Sequence, residues 1–572
     1  MSDNLIDKIV ALWSEINPVA GYTSGYTQQL SSLLFQTPEN LAAINDKINT
    51  IESLLSEITD SDLRDTAAAV LVNQKTQIAL ARPSGAGPSG TGAGGVYAAA
   101  DGVFYIVLKE DYNQAWVDSY LNLVVEMINF ETNRWSGGSY TVEERKECLD
   151  TVTYMNGSLA ALQQANPGTA TQIDAIKAAL TKYQAIFYSA ELASSDFATL
   201  WAALQQGDQQ QGPTQAKGYP DTLQNYYTLQ MNADQVEQAA HDWMMIDMPV
   251  TIDLAQRIGA TLNLAPDADL QTVWDAMSKK YAVDFTTEKM QQVLAACNNY
   301  GQQQIIGFTA QDIVKFEPTP EYLVNLVTGG EDFAINYLTD KPFSQLYLTA
   351  SKNTSLLTMI NILVHEASHG FNFVMSARAA ASPLLNLNTS LEVPMTEGQA
   401  FYREYQYYAG AAALLNRSNL NDAEQAYLNL YGSTQEDQSA AILGAQLETY
   451  IWRVIRYIRA LCDVRVNGGK QAYTDFIEWA ANTTGLSQET LHGECFTFLA
   501  SPGYAPCYAI GGAFYGDLST QGYRNKVTQL DFNTQASAMG FHSWPQDKQH
   551  MEKIASGNPN ASTAAAKGDN HV

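Results

Sequence analysis

The five residues His365-Glu366-Ala367-Ser368-His369 constrain this chain more than any other feature, because they fix a local fold and a chemistry together. On a helix, residues four apart lie on one face, so two imidazoles at that spacing can share one metal ion while the intervening carboxylate stands beside it. The flanks read as such a helix. From Ser355 to Ala377 the chain is nearly all apolar, with Leu357, Met359, Ile360 and Leu363 before the motif and Phe371, Val374 and Met375 after it. One polar stripe crosses it: Thr358, Asn361, His365, His369, Asn372 and Ser376 recur at spacings of three or four. A buried helix carries such a stripe when something polar faces it. The motif therefore predicts a zinc site with His365 and His369 as ligands and Glu366 handling protons.

Two neutral imidazoles leave zinc short of charge and of coordination, so a third protein ligand is expected, commonly a carboxylate. Glu392 and Glu397 are the two candidates, both following the loop broken by Ser382-Pro383. Glu397 is preferred because it opens a helical run, Thr396 to Leu415. Glu397, Ala400/Phe401 and Glu404 share one face of that run, which places Glu404 to orient the site from behind the ligands. Further on, Ser501-Pro502-Gly503-Tyr504-Ala505-Pro506-Cys507-Tyr508 reads as a loop entering an apolar helix. A hydroxyl from Tyr504 or Tyr508 is expected to donate to the oxyanion that develops when water attacks a carbonyl.

Composition sets the frame. With 572 residues, 46% hydrophobic and 16% charged, the chain reads as globular and mostly ordered, and its recurrent 3.6-residue periodicity reads as mainly α. A formal charge of −28 argues against nucleic acid or an anionic membrane as partner and favours neutral or cationic peptides in the cleft. The five cysteines, Cys148, Cys297, Cys462, Cys495 and Cys507, are odd in number and lack paired metal-ligand spacing, which predicts reduced thiols in the cytoplasm, packed as small hydrophobes. The N-terminal residues form an amphipathic helical pattern with neither a basic start nor an uninterrupted apolar core, so no signal peptide is expected. No run approaches a membrane span. The triplet at Asn353 consequently carries no glycosylation meaning.

Along the chain, residues 1–204 read as a helical N-terminal region, a wall or lid of the cleft. The Gly-rich loop 85–95 within it superficially matches a phosphate-binding loop, but Ala93 stands where the phosphate lysine belongs and Gly94 where the magnesium-binding hydroxyl belongs. The Gln/Gly/Pro-rich stretch 205–220 reads as a linker, 221–555 as the catalytic region and 556–572 as a disordered tail. Phe333 to Thr339 and Gln345 to Thr349 are strand candidates around an Asp340-Lys341-Pro342 turn. A strand just upstream of the metal helix either pairs with an extended substrate or forms a structural hairpin with no substrate role.

The run Glu397-Gly398-Gln399-Ala400-Phe401-Tyr402-Arg403-Glu404 resembles the Glu-Gly-Trp-Ala-x-Tyr-x-Glu segment of a widespread bacterial family of zinc peptidases, catalogued as a domain of unknown function. Pro502-Gly503-x-Ala505-x-x-Tyr508-x-Ile510-Gly511 resembles that family's later Pro-Gly-Gln-Ala-x-x-Tyr-x-Ile-Gly. The same loop is similar to one in Taq-type carboxypeptidases, which share with thimet oligopeptidases a ligand Glu and a second Glu seven residues on. The resemblance covers roughly residues 345 to 517. Gln399 departs from the family's Trp, Asn467 stands where a His often occurs, and the Pro-Gly before the later histidine is absent. It implies a two-lobed, mostly helical, zincin-like metallopeptidase with a small β-sheet beside the active-site helix, and zinc on His365, His369 and Glu397. The reading is a cytoplasmic zinc peptidase acting on oligopeptides, a carboxypeptidase or oligopeptidase. Its rivals are an inactive helical binding protein with a structural metal site, and a non-peptide amide hydrolase.

Overall fold

Ser355 starts the helix that carries the motif: its side chain accepts a hydrogen bond from the Thr358 N–H at 3.0 Å, satisfying one of the donors a helix start leaves unpaired. The helix then runs from Leu356 to Ala379, as the periodicity predicts. The computed structural model describes residues 2–84, 94–283, 286–320, 329–349 and 355–557. The glycine-rich residues 85–93, Asn353 with Thr354, and the tail from 558 lie outside the described residues. The molecule is mainly α, 71% helix and 4% strand.

Four long helices meet at the motif. The motif helix packs on the helix Val393–Leu414, which carries Glu397, and both meet the helix Gln435–Cys462. The fourth, Tyr504–Arg524, lies across the Glu397 helix, the most extensive helix pairing among the described residues. That approach depends on glycine. A Cβ on Gly398 would stand 2.3 Å from the Gly511 carbonyl carbon, and one on Gly511 would stand 1.8 Å from the Pro394 carbonyl oxygen, so backbone rests on backbone at this crossing.

On its other side the motif helix packs on a three-stranded sheet, ordered β1 (Val314–Pro318), β3 (Phe343–Leu348), β2 (Gly330–Ile335). β3 pairs parallel with β1 and antiparallel with β2. Two expectations are corrected here. The strand expected over Phe333 to Thr339 is β2 and ends at Ile335, because Asn336 adopts φ 56°, a left-handed conformation that stops the ladder. The strand directly upstream of the motif helix, β3, is central and paired on both sides, so its backbone has no free edge to offer a substrate; β2 is the edge beside the motif, where a Cβ on Gly330 would stand 3.0 Å from the Glu366 Cγ.

The stretch expected as a linker is built into the body. Residues Gln205 to Gln211 complete the helix Phe197–Gln211, and Gln215 pairs with Gly468 in an isolated bridge. One buried apolar cluster includes Leu162, Leu204, Ala240, Leu363 and Ile455, from both sides of that stretch. The N-terminal helices form a smaller cluster with Leu384, Leu387 and Leu391, in the segment that joins the motif helix to the Glu397 helix. Trp13 Nε1 donates to the Asn388 carbonyl at 3.1 Å in the same place. All five cysteines are buried and unbridged. Among the described residues, no helix is long and apolar enough to cross a membrane.

Candidate metal centre

The motif helix aims His365 and His369 at the first turns of the Glu397 helix. His365 Nε2 lies 3.1 Å from His369 Nε2, and Glu397 Oε2 lies 3.4 Å and 3.3 Å from these two nitrogens. This triangle has the size a metal requires: a tetrahedral ion about 2.0–2.1 Å from each ligand holds its ligand atoms about 3.3 Å apart. Glu397 is buried, and its Oε2 has no hydrogen-bond partner. A buried carboxylate oxygen without a donor is costly unless a cation answers it. Two imidazoles with one carboxylate form a donor set that suits zinc.

The remaining polar groups fix this triangle from outside. Glu404 Oε1 lies 2.7 Å from His365 Nδ1, which sets that ring's proton on Nδ1 and leaves Nε2 free to ligate. Asn361 donates to Glu404 Oε2 at 2.9 Å, and Arg456 donates to both Glu404 oxygens, at 3.0 Å to Oε2. The hydroxyl of Tyr504 donates in a short hydrogen bond to Glu397 Oε1, the oxygen turned away from the imidazoles. Tyr508 stacks near His365, with ring centroids 6.2 Å apart.

The loop carrying these tyrosines is tied down at its start. Gly503 adopts φ +86°, and a Cβ there would press on Thr222 Cγ2 at 2.9 Å and on Tyr227. Its N–H donates to both oxygens of the buried Asp463 at 3.0 Å, and Tyr219 donates to the same carboxylate at 2.6 Å. Burial pushes the Asp463 carboxyl up to about 6.

Charge follows the same geometry. Burial pushes the His365 imidazole down, but the nearby Glu397 and Glu404 carboxylates outweigh it and raise it to about 9. Burial raises Glu397, yet the two histidines hold it well below the usual carboxylate range. Glu366 is raised by burial, against the pull of His365 and His369. A carboxyl lifted in this way is a stronger base once ionised.

Of the sequence candidates, His365, His369 and Glu397 come together as ligand atoms, Glu366 and Glu404 flank them, and Tyr504 and Tyr508 line the same site. Glu392 does not join them. It begins the helix five residues earlier, where its Oε2 accepts from the Thr389 N–H at 3.3 Å. Asn467 is also elsewhere, donating to Asp463 Oδ1 at 2.8 Å. Asn361 and Arg456 join the site without an expected role. Asn361 was visible on the polar stripe, whereas nothing local in Gln435–Cys462 marks Arg456 as the partner of Glu404.

No family model and no curated protein matches the sequence. Two solved structures share the fold over nearly the whole length. One, described as the putative lipoprotein from Colwellia psychrerythraea, matches with a TM-score of 0.57 and 12% identity, covering 97% of this chain and 99% of its own. The other, described as a putative lipoprotein of unknown function from Shewanella oneidensis, gives 0.62 and 13%, covering 96% and 99%. At these identities the likeness establishes the fold alone.

Proposed function

We propose that the protein is a zinc-dependent peptidase acting on oligopeptides, with His365, His369 and Glu397 as ligands. The observation that carries the reading is the ligand triangle around a buried Glu397 oxygen that no donor satisfies. A zinc ion held there supplies Lewis acidity toward a peptide carbonyl and toward water. Glu366, one residue past the first ligand, takes a proton from the attacking water and delivers it to the leaving amine. Its burial-raised pKa suits both halves of that task. Tyr504 holds Glu397 in place through its hydroxyl, so the role of oxyanion donor falls to Tyr508. β2, an edge strand among the described residues and close to Glu366, is the strand we assign to an extended peptide backbone.

Glu366 also favours an enzyme over a purely structural metal clamp, since ligation alone needs no base at that position. The unbridged thiols support a reducing, cytoplasmic setting. Fractionating cells for the full chain tests that placement against a membrane-anchored one; the two similar structures are each described as a lipoprotein.

The test is E366Q, with metal content measured beside turnover of a defined peptide library followed by mass spectrometry. The variant is expected to keep its zinc and lose at least about a hundredfold in turnover. Undiminished hydrolysis by pure, zinc-loaded E366Q would remove the assigned base. Cleavage of the library by neither protein, with zinc bound in both, would leave a binding protein or a hydrolase of other amides.

A further inference from the structure

A second cluster of ligand-bearing side chains lies away from the motif, where the two ends of the described chain meet. Asp62 stands in the first turn of the helix Ser61–Ala79, His542 precedes the helix Trp544–Ala555, and His550 lies on that helix. Asp62 Oδ2 is 3.2 Å from His550 Nε2 and 3.7 Å from His542 Nε2. One ligand atom from each residue falls within 4.8 Å of the others. The two rings lie 4.6 Å apart and tilted by 32°. Gln546 fixes the carboxylate, donating to Asp62 Oδ1 at 3.3 Å and to the Asp62 carbonyl at 3.1 Å.

A fourth residue makes this more than an acid beside two histidines. Asp547 is completely buried, and neither of its oxygens makes a hydrogen bond of regular geometry. Its Oδ1 stands 3.5 Å from His542 Nδ1, a nitrogen that also lacks a partner. A cation on His542 Nε2 would place that ring's proton on Nδ1, facing Asp547, and would answer the charge of both carboxylates. This is the carboxylate–histidine–metal arrangement seen behind protein metal ligands.

We propose that Asp62, His542 and His550 bind a second zinc-type divalent ion, with Asp547 orienting His542, and that this ion ties the N-terminal helices to the C-terminal helix. Two imidazoles and one carboxylate select a borderline transition metal over calcium or magnesium. Asp62 is 38% exposed, which leaves one side of the site open to water as a further ligand. The proposal does not depend on peptidase activity.

Full-length protein stripped of metal, reloaded with Zn2+ and desalted is measured for zinc per chain. The native protein is expected to hold two ions, H369A one, H550A one, and the double variant none. D547N keeps all three ligands and is expected to weaken the second ion by about 10–100-fold, read by titration with a competing chelator. Because a buried histidine variant can misfold, D62N, at a partly exposed carboxylate, is measured beside H550A and is expected to lose the same ion with unchanged circular dichroism. A native count of two with H369A falling to none would overturn the second site, as would folded D62N and H550A that keep the native count. A native count of one that H550A removes and H369A spares would leave this site standing and end the assignment of His365, His369 and Glu397.

Discussion

The Tyr504 hydroxyl donates its hydrogen bond to Glu397, so its contribution belongs with metal holding before it belongs with catalysis. Y504F is therefore expected to weaken zinc binding about 10–100-fold, measured by chelator competition, with the fold intact. Unchanged zinc affinity with a lower kcat would instead return Tyr504 to the oxyanion. Glu404 makes a second test. Its carboxylate is fully buried between His365, Asn361 and the Arg456 guanidinium. R456A strands that charge and is expected to cost about 3–5 kcal/mol in denaturant unfolding. What was legible at this scale was what the helix repeat makes local. His365 with His369, and Glu397 with Glu404, sit at spacings that put side chains on one face, and the structure assembles them. Arg456 could not be read in this way, because its link to Glu404 is set by how two helices cross. The same holds for Asp62 and His550, which lie 488 positions apart in the chain.

Among the elements, the helices were readable because long apolar stretches at period 3.6 announce them, and Leu356–Ala379 matches its expected span closely. The sheet was read less well. β1, Val-Lys-Phe-Glu-Pro, is five residues long and only partly covered, so its alternation is too short to stand out. β3 is buried on both faces and shows no alternation, which is the pattern of a central strand. The first strand was carried past Ile335 because aromatic and apolar residues continue to Leu338, while the backbone turns at Asn336. Least visible of all was the reason for Gly398. In sequence it looks like a weak point in a helix; in space it lets the Glu397 helix touch the tyrosine helix at Gly511. G398A must push those helices apart and is expected to cost about 1–3 kcal/mol and to lower zinc affinity, since Glu397 and Tyr504 sit on opposite sides of the crossing. Gly493 supplies the control, because it lies in the helix Gln488–Leu499 with nothing within 4 Å of an added Cβ. G493A is expected to be neutral or to stabilise by up to about 1 kcal/mol, so thermal melts of the two variants should move in different directions.

For the whole molecule, the excess of acid in the composition becomes a statement about pH once burial is known. The formal charge is −28, and part of the acidic complement is interior. Burial pushes Asp101, Glu147 and Glu392 up to about 7 and Asp463 up to about 6, each above its ordinary value. Between about pH 4 and 7 the folded chain therefore keeps protons on these groups that the unfolded chain has already released. Stability from them is complete at low pH and is lost as pH rises through 6 and 7. His492 acts the other way. Burial lowers it to about 4, so the unfolded chain binds its proton first and stability is lost as pH falls below about 6.5. One histidine opposes four acids only in the lower part of the range, and self-repulsion of the negative chain grows with pH as well. The melting temperature of the chelated protein is expected to fall from about pH 5.5 to 7.5 and to level off above it, and added salt should recover the part due to surface repulsion while leaving the part due to buried acids. Chelator is needed because metal binding strengthens as ligands lose protons and would mask the decline. A melting temperature that rises over this interval would mean that the buried carboxyls are ionised in the folded protein, which would require cations beside Asp101 and Glu392 where the structure places none among the described residues.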